Sequence, residues 1–264
     1  MINYEKYISR EVKKVDEERL LKITEIPFHK DMYYKNINRF LASPTIEQLI
    51  GYKMYEDGSG VSAAYTRMDG VTKEMIHWWN VWVQFDPLRY QMWLPDIHLF
   101  MASPTEKDGE QLLDKKIPLY ARKWGTVSRM KQQSGLPNCV TKLLGVFGKK
   151  FGGVVEHHKR PIEIGIDESI FEQKDLPSFV CSIMYLSHAN YPVTVLHYLV
   201  EDETGIDVHS RLWHGVQFNG KRFVRVGKKI PMKALSKSVL LCMEEFTSLS
   251  GILKEVYDAE KGQI

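Results

Sequence analysis

From Phe151 to Val226 the chain reads as one short, β-branched or aromatic segment after another, and a long amphipathic stretch then closes it. That succession limits the folds available. Residues 154–159, 179–188, 193–200 and 208–218 are rich in valine, isoleucine, tyrosine and phenylalanine, as strands are. Asp202 to Gly205 separates two of them, and Asn219-Gly220 is a hairpin turn before 222–226. Strands joined by turns this short pair antiparallel, and an antiparallel sheet can keep one face for a core or a ligand. Over 231–259, Leu235, Val239, Cys242, Phe246, Leu249, Leu253 and Val256 recur at three and four, the spacing of one helical face. The expected class is α+β, a sheet with a long C-terminal helix.

Upstream, residues 50–55 and 61–67 flank Glu56-Asp57-Gly58-Ser59-Gly60 and predict a hairpin. Residues 1–50 are charged and sparsely apolar. They read as a small N-terminal helical appendage, with helices at 15–23 and 46–50, on a main domain spanning 51–264. Residues 103–116 read as a polar loop and 120–130 as a strand.

Between lie His77 to His98, HWWNVWVQFDPLRYQMWLPDIH, holding four of the six tryptophans. Thr72 is placed to cap a helix through Val83, and Asp86-Pro87 to open a second through Trp93. Pro95 argues against continuation past Leu94, leaving His98 on an irregular segment. A tryptophan-rich core explains most of these rings. It does not explain Tyr90, Gln91 and His98 among them, which suit the wall of a pocket for a flat, apolar ligand.

Glu244 and Glu245 sit about 100° apart on the C-terminal helix. Glu244 shares a side with Lys237, Ser248 and Glu255, which reads as solvated. Glu245 projects with Leu241, Cys242, Leu249, Ile252 and Val256, where a carboxylate needs a partner, a proton or a cation. The expectation is that Glu245 faces an internal cavity while Glu244 is exposed. Among the histidines, His197 alternates with Val195 and Leu199 on one strand face and is a candidate cavity residue. His209 and His214 fall on opposite faces, His157-His158 reads as a solvated strand end, and His188 ends an apolar strand.

Other classes fall away. A net charge of +3 over 264 residues, without long basic runs, argues against nucleic-acid binding. Cys139, Cys181 and Cys242 are too few and too scattered for a disulfide framework, and no apolar run is long enough to span a membrane. With no apolar core of a signal peptide near the N-terminus, the expected location is the cytoplasm. No G-x-S-x-G, P-loop or G-x-G-x-x-G element is present. The oligomeric state is open, a homodimer among the options.

The run W-W-x-x-W followed by D-x-L-R-Y-x-x-W-x-P-x-x-H, with G-V-x-x-A-Y-T-R-M-x-G-V-T-x-E-M (Gly60 to Met75), R-x-W-x-G (Arg211 to Gly215) and E-F-x-x-L (Glu245 to Leu249), resembles the phloretin hydrolase and 2,4-diacetylphloroglucinol hydrolase family. The resemblance extends over about 51–257. It implies a helix-grip, START-like topology and cleavage of a carbon–carbon bond between an acyl group and a phenolic ring. It also implies a zinc ion held by two histidines and two glutamates. Of those positions, His98 and Glu245 match; the second histidine is Leu241, and the second glutamate is Gln132, or Gln133 with a one-residue slip. Leucine has no donor atom and a glutamine carbonyl is a weak one, so no cofactor is expected, with zinc held by His98 and Glu245 plus an unforeseen ligand as the alternative. The expected substrate is a phenolic or polyketide-like ketone. The catalytic candidates are Glu245, His98 and Tyr90, and the substrate-binding candidates are Trp79, Trp82, Trp93, Gln132, Leu241, His197 and His214. Proton-transfer chemistry such as cyclisation or isomerisation suits that set. The alternatives are the zinc-dependent carbon–carbon hydrolase and a non-catalytic small-molecule carrier.

Overall fold

The structure is a computed structural model and describes residues 2–27, 33–42, 48–134, 150–187 and 189–264. Its centre is an eight-stranded antiparallel sheet in the order β1-β2-β8-β7-β6-β5-β4-β3. The strands are β1 (Gly51–Met54), β2 (Gly60–Asp69), β3 (His98–Met101), β4 (Val127–Ser134), β5 (Lys150–His158), β6 (Phe179–Leu186), β7 (Pro192–Asp202) and β8 (Gly205–His214). A small hairpin, β9 (Val216–Phe218) and β10 (Phe223–Arg225), follows at the turn read from Asn219-Gly220.

The helices are α1 (Tyr4–Ile8), α2 (Glu17–Leu21), α3 (Ile37–Leu41), α4 (Lys73–Trp82), α5 (Pro87–Trp93), α6 (Glu106–Leu113), α7 (Met232–Ser250) and α8 (Leu253–Glu260). Helix α7 packs across the sheet, chiefly on β2, as the helix-grip expectation requires. The large core lies between them: Val193, Val195 and Leu199 of β7 and Val208 and Leu212 of β8 meet Val239, Cys242, Phe246 and Leu249 of α7 and the tryptophans of α4. A second core covers the other face, where Val61, Ala63, Cys181, Leu196 and Trp213 pack against Tyr34, Ile37 and Leu41. None of the described helices is long and apolar enough to cross a membrane.

Local grammar places the aromatic helices. Thr72 Oγ1 accepts from the Met75 N–H at 3.3 Å and Asp86 Oδ1 from the Leu88 N–H at 2.8 Å, so both expected caps form. The N-terminal residues are tied down by Arg10. Its guanidinium donates to the carbonyls of Met92 (2.7 Å) and Trp93 (3.3 Å) and to Ser248 Oγ (2.7 Å).

Several local expectations need correction. His98 opens β3 rather than lying on an irregular segment, because the Ile97 and His98 N–H groups close a turn on the Leu94 carbonyl and return the chain to the sheet. The 103–116 loop contains α6, whose start Thr105 caps and whose Leu112 is buried. The 120–130 strand begins only at Val127, after a turn with Gly125 at φ 82°. The C-terminal helix breaks at Gly251 into α7 and α8. The 15–23 helix is the short α2; residues 46 and 47 lie outside the described residues and 48–50 are not helical. Cys139 and His188 also lie outside the described residues, while Cys181 and Cys242 are buried free thiols.

Candidate active site

Three elements meet at the site, two neighbouring strands and the C-terminal helix. His98 and Gln132 are direct cross-strand partners on β3 and β4. Leu241 and Glu245 are one turn apart on α7, so their side chains share a face. A hydrogen bond of 3.0 Å from His98 Nε2 to Glu245 Oε1 joins the strand pair to the helix pair. All four positions therefore converge, although they come from three separated segments.

The aromatic stretch holds this junction in place. Tyr90 stacks on the His98 ring at 4.0 Å and 6°, and Trp93 meets the same ring edge-on at 5.1 Å. Trp93 Nε1 donates to the Glu245 carbonyl at 2.8 Å, which fixes α5 against α7. Gln132 Nε2 donates to the Tyr90 hydroxyl at 2.6 Å. Tyr90 is fully buried, and burial, then the charge of Glu245, holds its pKa well above 10, so it keeps its proton. A carboxylate only accepts, so His98 carries its bonding proton on Nε2; its buried Nδ1 has no partner.

A cavity of about 470 Å³ opens beside the junction under the first half of α7. Gln132, Gln133, Leu241, Glu244, Tyr191 and His214 are in its wall. Here the helical-face reading fails: Glu244 lines the cavity rather than facing solvent, and Glu245 stands next to it, 18% accessible and bonded to His98. The reason is that α7 is covered on more sides than a core stripe requires. Ser248, on the same supposed solvated face, lies beneath Arg10 and Trp93. Burial, then the charges of Glu245 and Asp96, raises the Glu244 carboxyl to about 7.

A second, closed space of about 60 Å³ lies farther along the same sheet face, lined by Trp79, Trp93, Lys123, Glu156, His197 and Phe246 among others. Burial lowers Lys123 to about 8, opposed by Glu156, and lowers His197 to about 4. His197 Nδ1 meets Ser210 Oγ at 2.8 Å. Trp82 is core instead: its Nε1 donates to Gln263 Oε1 at 3.1 Å and Arg89 lies 4.1 Å over its ring. His158 is buried and bonded to Ser128 Oγ at 2.7 Å, not a solvated strand end. Sequence reading missed Glu156, yet strand alternation with the inward Val154 and His158 pointed to it. For Lys123, in a non-periodic loop, no such signal exists.

A sequence profile of the DAPG hydrolase PhiG domain matches residues 32–258. The chain belongs to this family. It is 26% identical to phloretin hydrolase from Eubacterium ramulus over 269 aligned positions, covering 98% of this chain and 91% of that protein. Among solved structures, Ara h 8.0201 overlaps with a TM-score of 0.42 at 12% identity, covering 74% of this chain and 99% of that one. A Rhodobacter sphaeroides protein overlaps with a TM-score of 0.40 at 11% identity, covering 74% and 93%.

The residues here do not fit the zinc ion that family resemblance implies. Only His98 and Glu245 of the four positions offer ordinary zinc donors; Leu241 has none and Gln132 offers a weak, neutral carbonyl. Among the described residues, no group of three or more His, Cys, Asp or Glu side chains is placed to hold a metal ion.

Proposed function

We propose that this family member is an enzyme that binds a phenolic or polyketide-like ketone in the 470 Å³ cavity and rearranges it by proton transfer without a metal. The observation that carries the reading is the pair Gln132 and Leu241 in the cavity wall, beside a His98–Glu245 couple closed at 3.0 Å. Glu245 takes a proton from the carbon next to the carbonyl, and His98 Nε2–H holds the carboxylate in position. The Tyr90 hydroxyl already accepts from Gln132, so its own proton is available to the oxygen on which enolate charge develops. Return of the proton from Glu245 to a different carbon completes an isomerisation or sets up ring closure, with no water consumed.

The second reading is hydrolysis of an aryl-ketone carbon–carbon bond, favoured by similarity to a phloretin hydrolase along nearly the whole chain. Metal analysis of the purified protein, followed by mass spectrometry of products from a panel of aryl and polyketide ketones, separates the two. A product of unchanged mass, formed in the presence of chelator and lost in Glu245→Gln, supports rearrangement. Two fragments that together contain one added water, with activity abolished by chelator and restored by zinc, establish hydrolysis instead. A carrier would bind ketones and turn over none of them.

A further inference from the structure

Two adjoining spaces beside α4 share a lysine. One is the closed space of about 60 Å³; the other is a shallower cleft of about 20 Å³ lined by His77, Tyr120, Trp124 and His158 among others. Lys123, Asn80 and Val180 belong to both walls and form the partition between them. Lys123 is only partly buried, and it is the one lysine or arginine of either wall among the described residues.

The backbone around this lysine is clamped. Gln111 of α6 donates through Nε2 to the carbonyls of Arg122 (2.9 Å) and Trp124 (2.6 Å). Thr126 donates to the carbonyl of Lys123 from its N–H (3.0 Å) and its Oγ1 (2.7 Å). Three successive carbonyls are thus satisfied in a segment outside the helices and strands. The far end of the side chain is held loosely. Nζ reaches Asn80 Oδ1 at 3.5 Å, the outer limit of a hydrogen bond, and makes no ion pair with any described residue. Glu156, in the inner wall, is the one acidic side chain of the two walls among the described residues. Burial, then the charge of Lys123, holds His158 and His197 neutral. A lysine withdrawn from water for the fold alone is paired. This one is desolvated instead, and with its pKa lowered to about 8 the neutral amine is far more abundant near neutrality than on a surface lysine.

We propose that Lys123 is a carbonyl-capturing amine: a short-chain aldehyde or ketone condenses with Nζ to an iminium ion facing Glu156, then gives up an α-proton to become an enamine. Nζ bonds to the carbonyl carbon as the C=O π bond breaks, and a proton passes from nitrogen to oxygen. That oxygen takes a second proton from solvent and leaves as water, so amine, carbonyl and one proton give iminium and water. The iminium carries the single positive charge that the ammonium ion carried, and Glu156 faces the same charge in both. It draws electrons from the α-carbon, whose proton Glu156 takes and returns. Benzene occupies cavities of about 150 Å³, so the inner space selects small aliphatic carbonyls over aryl ketones. The site is separate from the 470 Å³ cavity and does not depend on the reading given for it.

Deuterium exchange with trapping tests it. The intact protein is incubated near neutrality with butanone in D₂O and followed by proton NMR; the mixture is then reduced with cyanoborohydride and its peptides are mapped by mass spectrometry. Exchange at the α-carbons is expected about tenfold above that given by Lys123→Arg, which keeps the charge without a nucleophilic amine. The trapped adduct is expected on Lys123, formed about tenfold faster than on exposed lysines, a preference that disappears in urea. Acetophenone, too large for the inner space, should leave Lys123 unmarked. Butanone adducts spread evenly over the lysines, an acetophenone adduct on Lys123, or exchange undiminished in Lys123→Arg overturns the proposal. If Lys123→Arg does not fold, the trapping pattern on the unaltered protein decides alone.

Discussion

Restoring the two missing donors is the sharpest test of the site. Gln132→Glu combined with Leu241→His puts two carboxylates and two imidazoles on a cross-strand pair and a helix pair that already converge. Without metal the double variant is less stable than the parent. Gln132→Glu removes the Nε2–H donor to Tyr90 and sets a third carboxylate beside Glu244 and Glu245, costing about 1–3 kcal/mol. Zinc at 100 times its dissociation constant returns about 2.7 kcal/mol. For a chain of this size each kcal/mol moves the melting temperature by about 2–4 °C, so zinc should raise that of the double variant by about 5–10 °C. Thermal melts followed by circular dichroism, with zinc and with chelator, read both shifts. The parent should melt at the same temperature in both. A parent melt raised by zinc and lowered by chelator refutes the reasoning, because it requires ligands other than those described here.

Three further outcomes are expected. Tyr90→Phe leaves the Gln132 amide without its acceptor and the developing enolate without a donor; turnover should fall about 10²-fold, with a stability loss of about 1–2 kcal/mol in denaturant titration. Arg10→Ala strips donors from the Met92 and Trp93 carbonyls and from Ser248, and should lower stability by about 2–4 kcal/mol, read as a shifted urea midpoint. Acid should unfold the protein early. Burial depresses His77 and His197 to about 4, His214 to about 3 and His158 well below its usual value, so all stay neutral in the fold while the unfolded chain takes up protons below about 6.5. The stability they contribute is complete above that pH and is lost as pH falls toward 4, at up to about 1.4 kcal/mol per pH unit for each. A circular-dichroism signal flat from pH 7 to 4 contradicts this.

Periodicity and turn chemistry carried most of the architecture. Alternation identified the strands of the C-terminal half, Thr72 and Asp86-Pro87 marked two helix starts, and the spacing of Leu235 to Val256 marked the gripping helix. The order of strands was not legible, since nothing local states that β2 pairs with β8. At the site, the family motifs single out His98, Gln132, Leu241 and Glu245, and the structure places the four near one another. Helical phase misassigned Glu244, because phase distinguishes the sides of a helix but not what covers them: here a cavity on one side and the Arg10 segment on another.

The pairing of β2 with β8 also orders events in time. Residues 60–63 pair with the neighbouring β1, but 64–69 gain a partner strand only when 205–214 exist, whereas β4 with β5, β6 with β7 and β7 with β8 close between neighbours in the chain. Such non-local closure is the slow step of β-rich folding, on the order of milliseconds to seconds. On a ribosome, one edge of β2 must stay open while the rest of the sheet is synthesised, exposed to the wrong partners. The Ser62–His214 contact belongs to this last seam. The cavity wall at that histidine is therefore completed with the last strand pairing: a refolding chain gains its helical signal first and any binding in the cavity last.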